Sequence, residues 1–144
     1  MVLRTGGRGA DRGEMEYLAA IAEVIEEVSD PHRSDAVVVR DGLELVLCGW
    51  QLHTADGDHG RAWDVLGTAA QTVVAGFHDL PPVVYTVDPA ASGEADAWLH
   101  TVQLVAAIAD RLDRMATDNS SDTARSWWLA TAAARLRAAL PVPA

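Results

Sequence analysis

A short segment between residues 53 and 60 brings together side chains that could hold a metal ion. It carries two imidazoles and two carboxylates within seven residues, from His53, Asp56, Asp58 and His59. These ligand types suit zinc, manganese or another divalent cation. Asp and Gly also favour turns, and an acidic residue just before a helix complements the helix dipole. The segment therefore has two interpretations, a metal site or a polar turn that leads into a helix.

The five residues Asp56-Gly57-Asp58-His59-Gly60 within this segment resemble the nucleotide-binding loop of the L-type domain of dihydroxyacetone kinases. In that family the Asp residues of the loop hold magnesium and ADP in an all-helical barrel. The family has a further Asp five positions before the pentapeptide, where this chain has Gln51, and its domain is longer than the whole chain. The resemblance is confined to these five residues and assigns no function.

Tryptophan is the second unusual feature, since the chain has five Trp beside one Phe and two Tyr. Trp50, Trp63 and Trp98 fall on apolar stripes near the ends of predicted helices. They either cap the core, with the indole N–H reaching a carbonyl or water, or line a pocket for an apolar or aromatic ligand. The three residues are therefore candidate ligand-binding residues.

Known catalytic motifs are missing from the sequence. It contains no Gly-x-Ser-x-Gly turn, no His-Glu-x-x-His helix, no phosphate-binding Gly-rich loop with Lys and no inward Glu-x-x-His pair of di-iron bundles. Cys48 lies among apolar residues, where a buried thiol is expected and not a reactive thiolate. The sequence predicts no cofactor and leaves enzymatic activity open.

Asp96 and His100 are four residues apart on a predicted helix, which is the spacing of a helical metal pair or of a carboxylate that orients a His. Further polar residues continue the same side of the helix. They are Gln103, Asp110, Arg111 and Arg114. This continuation favours a solvated helix face.

The composition is that of a folded, acidic domain. The chain of 144 residues carries a formal net charge of −10 and is 49% hydrophobic. Nucleic-acid binding depends on clustered cations, so the charge argues against that partner. No apolar run approaches the roughly 20 residues that cross a bilayer, and Cys48 has no partner for a disulfide. We expect a cytoplasmic protein without membrane contact, with a flexible basic tail over 1–13 and a single helical domain over 14–140.

Apolar residues recurring every three to four positions predict most of the secondary structure. Helices are expected over 14–28, 60–78, 92–116 and from the polar break at 118–122 to residue 140. The clearest signal is the apolar stripe of the helix expected over 92–116, which predicts a seam that packs on another helix. Its members are Trp98, Val102, Val105, Ala109, Leu112 and Ala116.

The segment 35–53 admits two interpretations. A helical stripe passes through it, with Arg40, Asp41, Glu44 and Gln51 on the polar side. However, Val37-Val38-Val39 favours a strand, and Asp41-Gly42 favours a hairpin turn. We predict an all-α bundle of four to five helices; the alternative is an α+β fold with a β-hairpin at 36–47 and a short strand at 83–87.

Adjacent indoles on the last predicted helix, Trp127 and Trp128, point about 100° apart and cannot face the same core. Trp127 shares its side with Thr131, Ala134 and Ala138. A large indole above small residues is typical of a surface that another helix covers, often from a second copy of the chain. We therefore predict a non-catalytic accessory or scaffold protein, a homo-oligomer with possible protein partners. The alternative is a small-molecule-binding protein or unclassified enzyme that uses the three tryptophans and the His/Asp loop at 53–59.

Overall fold

Five α-helices make up most of the chain that the computed structural model describes. The described residues are 15–53, 59–77, 79–80, 87–88 and 94–141. The helices are α1 (Tyr17–Ser29), α2 (Asp35–His53), α3 (Gly60–Val74), α4 (Glu94–Asp118) and α5 (Thr123–Ala138), and a 3-10 helix (Ala75–Phe77) continues α3. The all-α prediction is confirmed. None of the helices in these ranges has the length and apolar composition needed to cross a bilayer.

The ambiguous segment from Asp35 to His53 is one continuous helix, so the hairpin alternative over 36–47 is wrong. Gly42, half of the expected turn, lies in the middle of α2. A side chain there would place its Cβ 2.8 Å from Cδ1 of Ile108 in α4. The glycine thus permits close helix packing, and tertiary contact overrides the local turn preference.

A short parallel pairing joins two segments that are far apart in the sequence. β1 (Met15–Glu16) pairs with β2 (Val87–Asp88), with Met15 opposite Val87. The end of the predicted strand at 83–87 therefore has a partner just before α1 and not in a hairpin. Residues 83–86 and the predicted tail over 1–13 lie outside the described residues.

All five helices contribute residues to the hydrophobic core, and α2 is central among the first four because it contacts α1, α3 and α4. The seam predicted along α4 is buried except at Val102, which is half-buried, and Val105, Ala109 and Leu112 are fully enclosed. α5 packs mainly on α4, with a smaller contact to α3. Its inward residues include Leu129 and Leu136, which are fully buried. The opposite face of α5 is turned away from the bundle.

Three charged side chains that the periodicity predicts on polar faces are buried instead. Arg40 and Asp41 are each 5% exposed, and Arg111 is 2% exposed. Within the first pair, Nε of Arg40 donates to Oδ1 of Asp41 over 3.3 Å. The prediction is wrong here because α2 has neighbours on three sides, so even its polar side is covered.

Arg111 of α4 joins the end of α1 to the start of α2. Its guanidinium donates to the carbonyl oxygens of Val28, Asp30 and Arg33 over 2.7, 2.8 and 2.7 Å, and to Oδ1 of Asp35 over 2.5 Å. A buried cation at a helix C-terminus satisfies carbonyl groups that have no partner within the helix. The residue is therefore a structural clamp and not part of a solvated face.

Candidate functional site

The outward side of α5 presents an aromatic residue above small ones. α5 begins at a capped end, where the Asp122 carboxylate accepts a hydrogen bond from the backbone N–H of Arg125. Trp127 is 68% exposed. Along the same side, Thr131 is half-buried, and Ala134 and Ala138 are exposed. We call Trp127, Thr131, Ala134 and Ala138 the α5 outer face.

The neighbouring indole has a different environment. Trp128 is half-buried and meets Phe77 edge-on, with ring centroids 5.5 Å apart and an interplanar angle of 72°. The guanidinium of Arg125 lies 5.4 Å from the centroid of the Trp128 ring. Trp128 therefore attaches α5 to the end of α3, which leaves Trp127 pointing outwards from the helix.

The charge of α5 differs from that of the rest of the chain. The helix contains Arg125, Arg135 and Arg137 and no acidic residue. Arg137 donates to the carboxylates of Asp110 and Asp113 on α4, and these hydrogen bonds raise the pKa of its guanidinium. The acid-free helix is therefore fastened to α4 by charge pairs along one edge.

A second candidate region lies where α2 ends and α1, α3 and α4 begin. Five rings meet there, and we call them the aromatic cluster. They belong to Tyr17, His53, His59, Trp63 and Trp98. Trp63 stands between its neighbours, stacked on His53 at 5.5 Å and edge-on to Trp98 at 5.2 Å between ring centroids. His59 stacks on Trp98 at 5.4 Å, and Tyr17 meets His53 edge-on at 6.1 Å.

The aromatic cluster is a filled part of the core. Trp63 is fully buried and Trp98 is 8% exposed. The hydroxyl groups of Tyr17 and Thr101 are hydrogen-bonded over 2.9 Å, and burial raises the pKa of the Tyr17 phenol. Two of the three predicted ligand-binding tryptophans therefore contact each other and leave little surface for a ligand.

Trp50 lies apart from that cluster. It lines an open cleft of about 360 Å³ with Leu47, Gln51, Asp64 and Gln71, which we call the Trp50 cleft. The indole Nε1 of Trp50 donates to Oδ1 of Asp64 over 2.8 Å. The structure thus separates the three tryptophans that the sequence grouped together.

The predicted metal ligands are only partly described. Asp56 and Asp58 lie outside the described residues. His53 stacks on Trp63, whereas His59 stacks on Trp98. In the part of the chain that the structure describes, no group of three or more His, Cys, Asp or Glu side chains could hold a metal ion.

Two other polar candidates have ordinary structural roles. His100 contacts the backbone carbonyl of Asp96 through Nδ1 at 2.8 Å, so this contact does not involve the carboxylate. Cys48 is buried, as expected, and burial raises the pKa of its thiol to about 11. A thiol of this kind stays protonated at neutral pH and is a poor nucleophile.

The clamp formed by Arg111 is the main feature that sequence reasoning missed. A basic residue one helical turn from buried positions gives no local sign of burial. The loop between α1 and α2, which contains Pro31, could have indicated it. The backbone carbonyl groups of such a loop need hydrogen-bond donors, and a side chain of another helix can supply them.

The chain matches no protein-family model, and it shows no significant similarity to a curated protein or to a solved structure. Among the residues that the structure describes, Trp127 on the α5 outer face is the most exposed large apolar side chain. The exposed fraction of Trp127, 68%, exceeds the 54% of Leu99 and the 51% of Val65.

Proposed function

We propose that the protein is a non-catalytic helical accessory or scaffold module that self-associates through α5. The observation that carries the proposal is the exposure of Trp127, 68%, on a helix face of small residues. An exposed tryptophan of this size is enriched at protein interfaces, where it fills a pocket on the partner. The small residues beside it allow a second helix backbone to approach closely.

The α5 outer face is complementary to itself when two copies pair in antiparallel orientation. With a two-fold axis near Thr131, each Trp127 lies about 6 Å from the axis along the helix, at a rise of 1.5 Å per residue. It then lies level with position 135 of a second copy, between Ala134 and Ala138 on the outer face of that copy. The large side chain of each copy meets the small side chains of the other, as a symmetric interface requires.

Charge distinguishes α5 from the rest of the acidic chain. The chain has a formal net charge of −10, so most surfaces of two copies repel each other. α5 contributes three arginines and no carboxylate. Contact through α5 therefore keeps the acidic surfaces of the two copies apart but brings two basic helices together, so the support for this face comes from its shape and its exposed indole and not from charge.

The expected affinity is moderate. Burial of one indole from each copy removes about 300–500 Å² from water, or roughly 7–12 kcal/mol before costs. Loss of translational and rotational freedom costs about 4–15 kcal/mol. These two terms nearly cancel, so the contacts of the small residues set the net free energy of association. We expect a dissociation constant in the micromolar range. The proposed compartment is the cytoplasm, where the free buried thiol of Cys48 stays reduced.

Sedimentation velocity of four variants tests the proposal. Trp127→Ser removes the indole, and Ala134→Glu places a charge in the small-residue groove. Leu99→Ser and Ala19→Glu are matched controls, because both residues are exposed on other helices. At about 100 μM, well above a micromolar dissociation constant, we expect two-chain particles for the native chain and the controls and one-chain particles for the two α5 variants.

Cysteine cross-linking tests the antiparallel geometry. A residue on a two-fold axis contacts its own copy, so Thr131→Cys should form a disulfide-linked dimer under mild oxidation. Ala19→Cys should remain monomeric on a denaturing gel. A native chain that sediments as one chain, or a Leu99→Ser variant that dissociates as fully as Trp127→Ser, would contradict self-association through α5.

A further inference from the structure

The Trp50 cleft has the dimensions and the lining of a small-molecule site. The cleft lies between α2 and α3 and has a volume of about 360 Å³. α2 supplies Leu47, Trp50 and Gln51, and α3 supplies Asp64 and Gln71. Ligand pockets are usually about 300–1,000 Å³ and combine apolar walls with a few polar groups. The cleft combines an indole and a leucine with two carboxamides and one carboxylate.

The indole of Trp50 is held in place by α3. Its N–H donates to Asp64 over 2.8 Å. Gly67 of α3 lies directly against the ring, because a Cβ at this position would collide with Cγ, Cδ2 and Cε3 of Trp50. The side chain is half-buried, so part of the ring remains accessible. A ligand that stacks on this indole meets a surface whose orientation is already fixed, which lowers the entropy cost of binding.

The charge of the cleft selects the ligand class. Asp64 is exposed, and its carboxylate is the charged group among the described lining residues. Hydrogen bonding to the indole uses part of its acceptor capacity, since an ionised carboxylate has about four lone-pair sites. The face of an indole also attracts cations. Both groups favour a positively charged ligand and disfavour an anion.

We propose that the Trp50 cleft binds small organic cations that carry an ammonium group on an aromatic or apolar body. The body packs on Trp50 and Leu47, and the ammonium group lies against Asp64. The carboxamides of Gln51 and Gln71 accept or donate hydrogen bonds at the edge of the ligand. The site belongs to α2 and α3, so it does not depend on self-association through α5.

Three probes with a similar phenyl body separate stacking from charge. They are phenethylamine, which is a cation at pH 7, the neutral 2-phenylethanol and the anion phenylacetate. The readout is the Nε1–H resonance of Trp50 in an NMR spectrum of the full chain, assigned by its loss in Trp50→Phe. Because exposed ion pairs and cation–π contacts are each modest, we expect phenethylamine to bind about fivefold more tightly than 2-phenylethanol. Phenylacetate should bind most weakly.

A charge-removing variant locates the origin of that preference. Asp64→Asn keeps an oxygen that accepts the indole N–H but removes the charge, so the ratio of the two affinities should fall clearly below five, because only the attraction of the Trp50 ring for cations is left to favour phenethylamine. Asp118→Asn at the end of α4 is the matched control, since it removes one charge outside the cleft and should keep the ratio. The proposal is overturned if phenethylamine gives no saturable shift, if the three probes bind equally, or if Asp64→Asn keeps the fivefold preference.

Discussion

The aromatic cluster and the α5 outer face use the same residue type for opposite purposes. Trp63 and Trp98 lie where four helices converge, and each ring is covered by the others. Trp127 lies on a helix that has one main neighbour, so its indole remains 68% exposed. The side of the helix that a tryptophan occupies and the neighbours on that side, and not the residue type, decide whether the ring is covered, since Trp128 on the same helix packs against Phe77.

The largest loss of stability is expected from a change in the buried aromatic cluster. Trp63→Ala removes a fully buried indole and leaves a cavity beside His53 and Trp98. We expect the free energy of unfolding to fall by about 3–5 kcal/mol. Urea denaturation measures this change. A loss below about 1 kcal/mol would mean that the cluster does not support the fold.

The arginines extend the comparison from apolar to charged side chains. Arg111 is 2% exposed and donates to three carbonyl groups, whereas Arg137 is exposed and pairs with two surface carboxylates. Arg111→Ala leaves buried acceptors without a donor and should cost about 3 kcal/mol. Arg137→Ala should cost less than about 1 kcal/mol. Thermal denaturation of both variants gives the ranking, and equal losses would contradict it.

The free energy of unfolding should also depend on pH, because the buried Cys48 thiol has a shifted pKa. Burial raises the pKa of the Cys48 thiol from its ordinary value of 9.0 to about 11, so folding favours the protonated thiol. This stabilisation is complete below pH 9 and is lost as the pH rises towards 11. Two pKa units correspond to at most about 2.7 kcal/mol. Cys48→Ala should reduce the fall in unfolding free energy over this range, and part of the fall should persist because the buried Tyr17 phenol also has a raised pKa.

The smallest effect on stability is expected at the exposed Trp127 of α5. Trp127→Ser should change the unfolding free energy of the isolated chain by no more than about 0.5 kcal/mol, because the side chain has few neighbours within one copy. The measurement requires a protein concentration well below the dimer dissociation constant. A loss of several kcal/mol there would show that Trp127 supports the fold and would remove it as an interface residue.

The helix bounds were largely predictable because they depend on local pattern. For the segment 35–53 the sequence left a helix and a hairpin open, and the structure shows the helix, whereas most of the seam of α4 was identified correctly. Burial of Arg40 and Asp41 was not predictable, since helical periodicity distinguishes two sides and α2 packs against three neighbours. The candidate ligand site was predicted as three tryptophans, and the structure places Trp50 in a separate cleft. The sequence shows that each tryptophan lies on the apolar side of its helix. It does not show which helices pack against each other, and therefore which tryptophans meet.

By itself, the sequence determined that this chain forms amphipathic helices, that it is acidic and that Trp127 shares a helix side with small residues. These properties depend on side chains within a few turns of one another along the chain. Only the tertiary structure decided that Arg111 is a clamp, that Trp63 and Trp98 fill the core and that the α5 outer face is left uncovered. Those outcomes depend on which helices become neighbours, and contacts between residues distant in sequence set that arrangement.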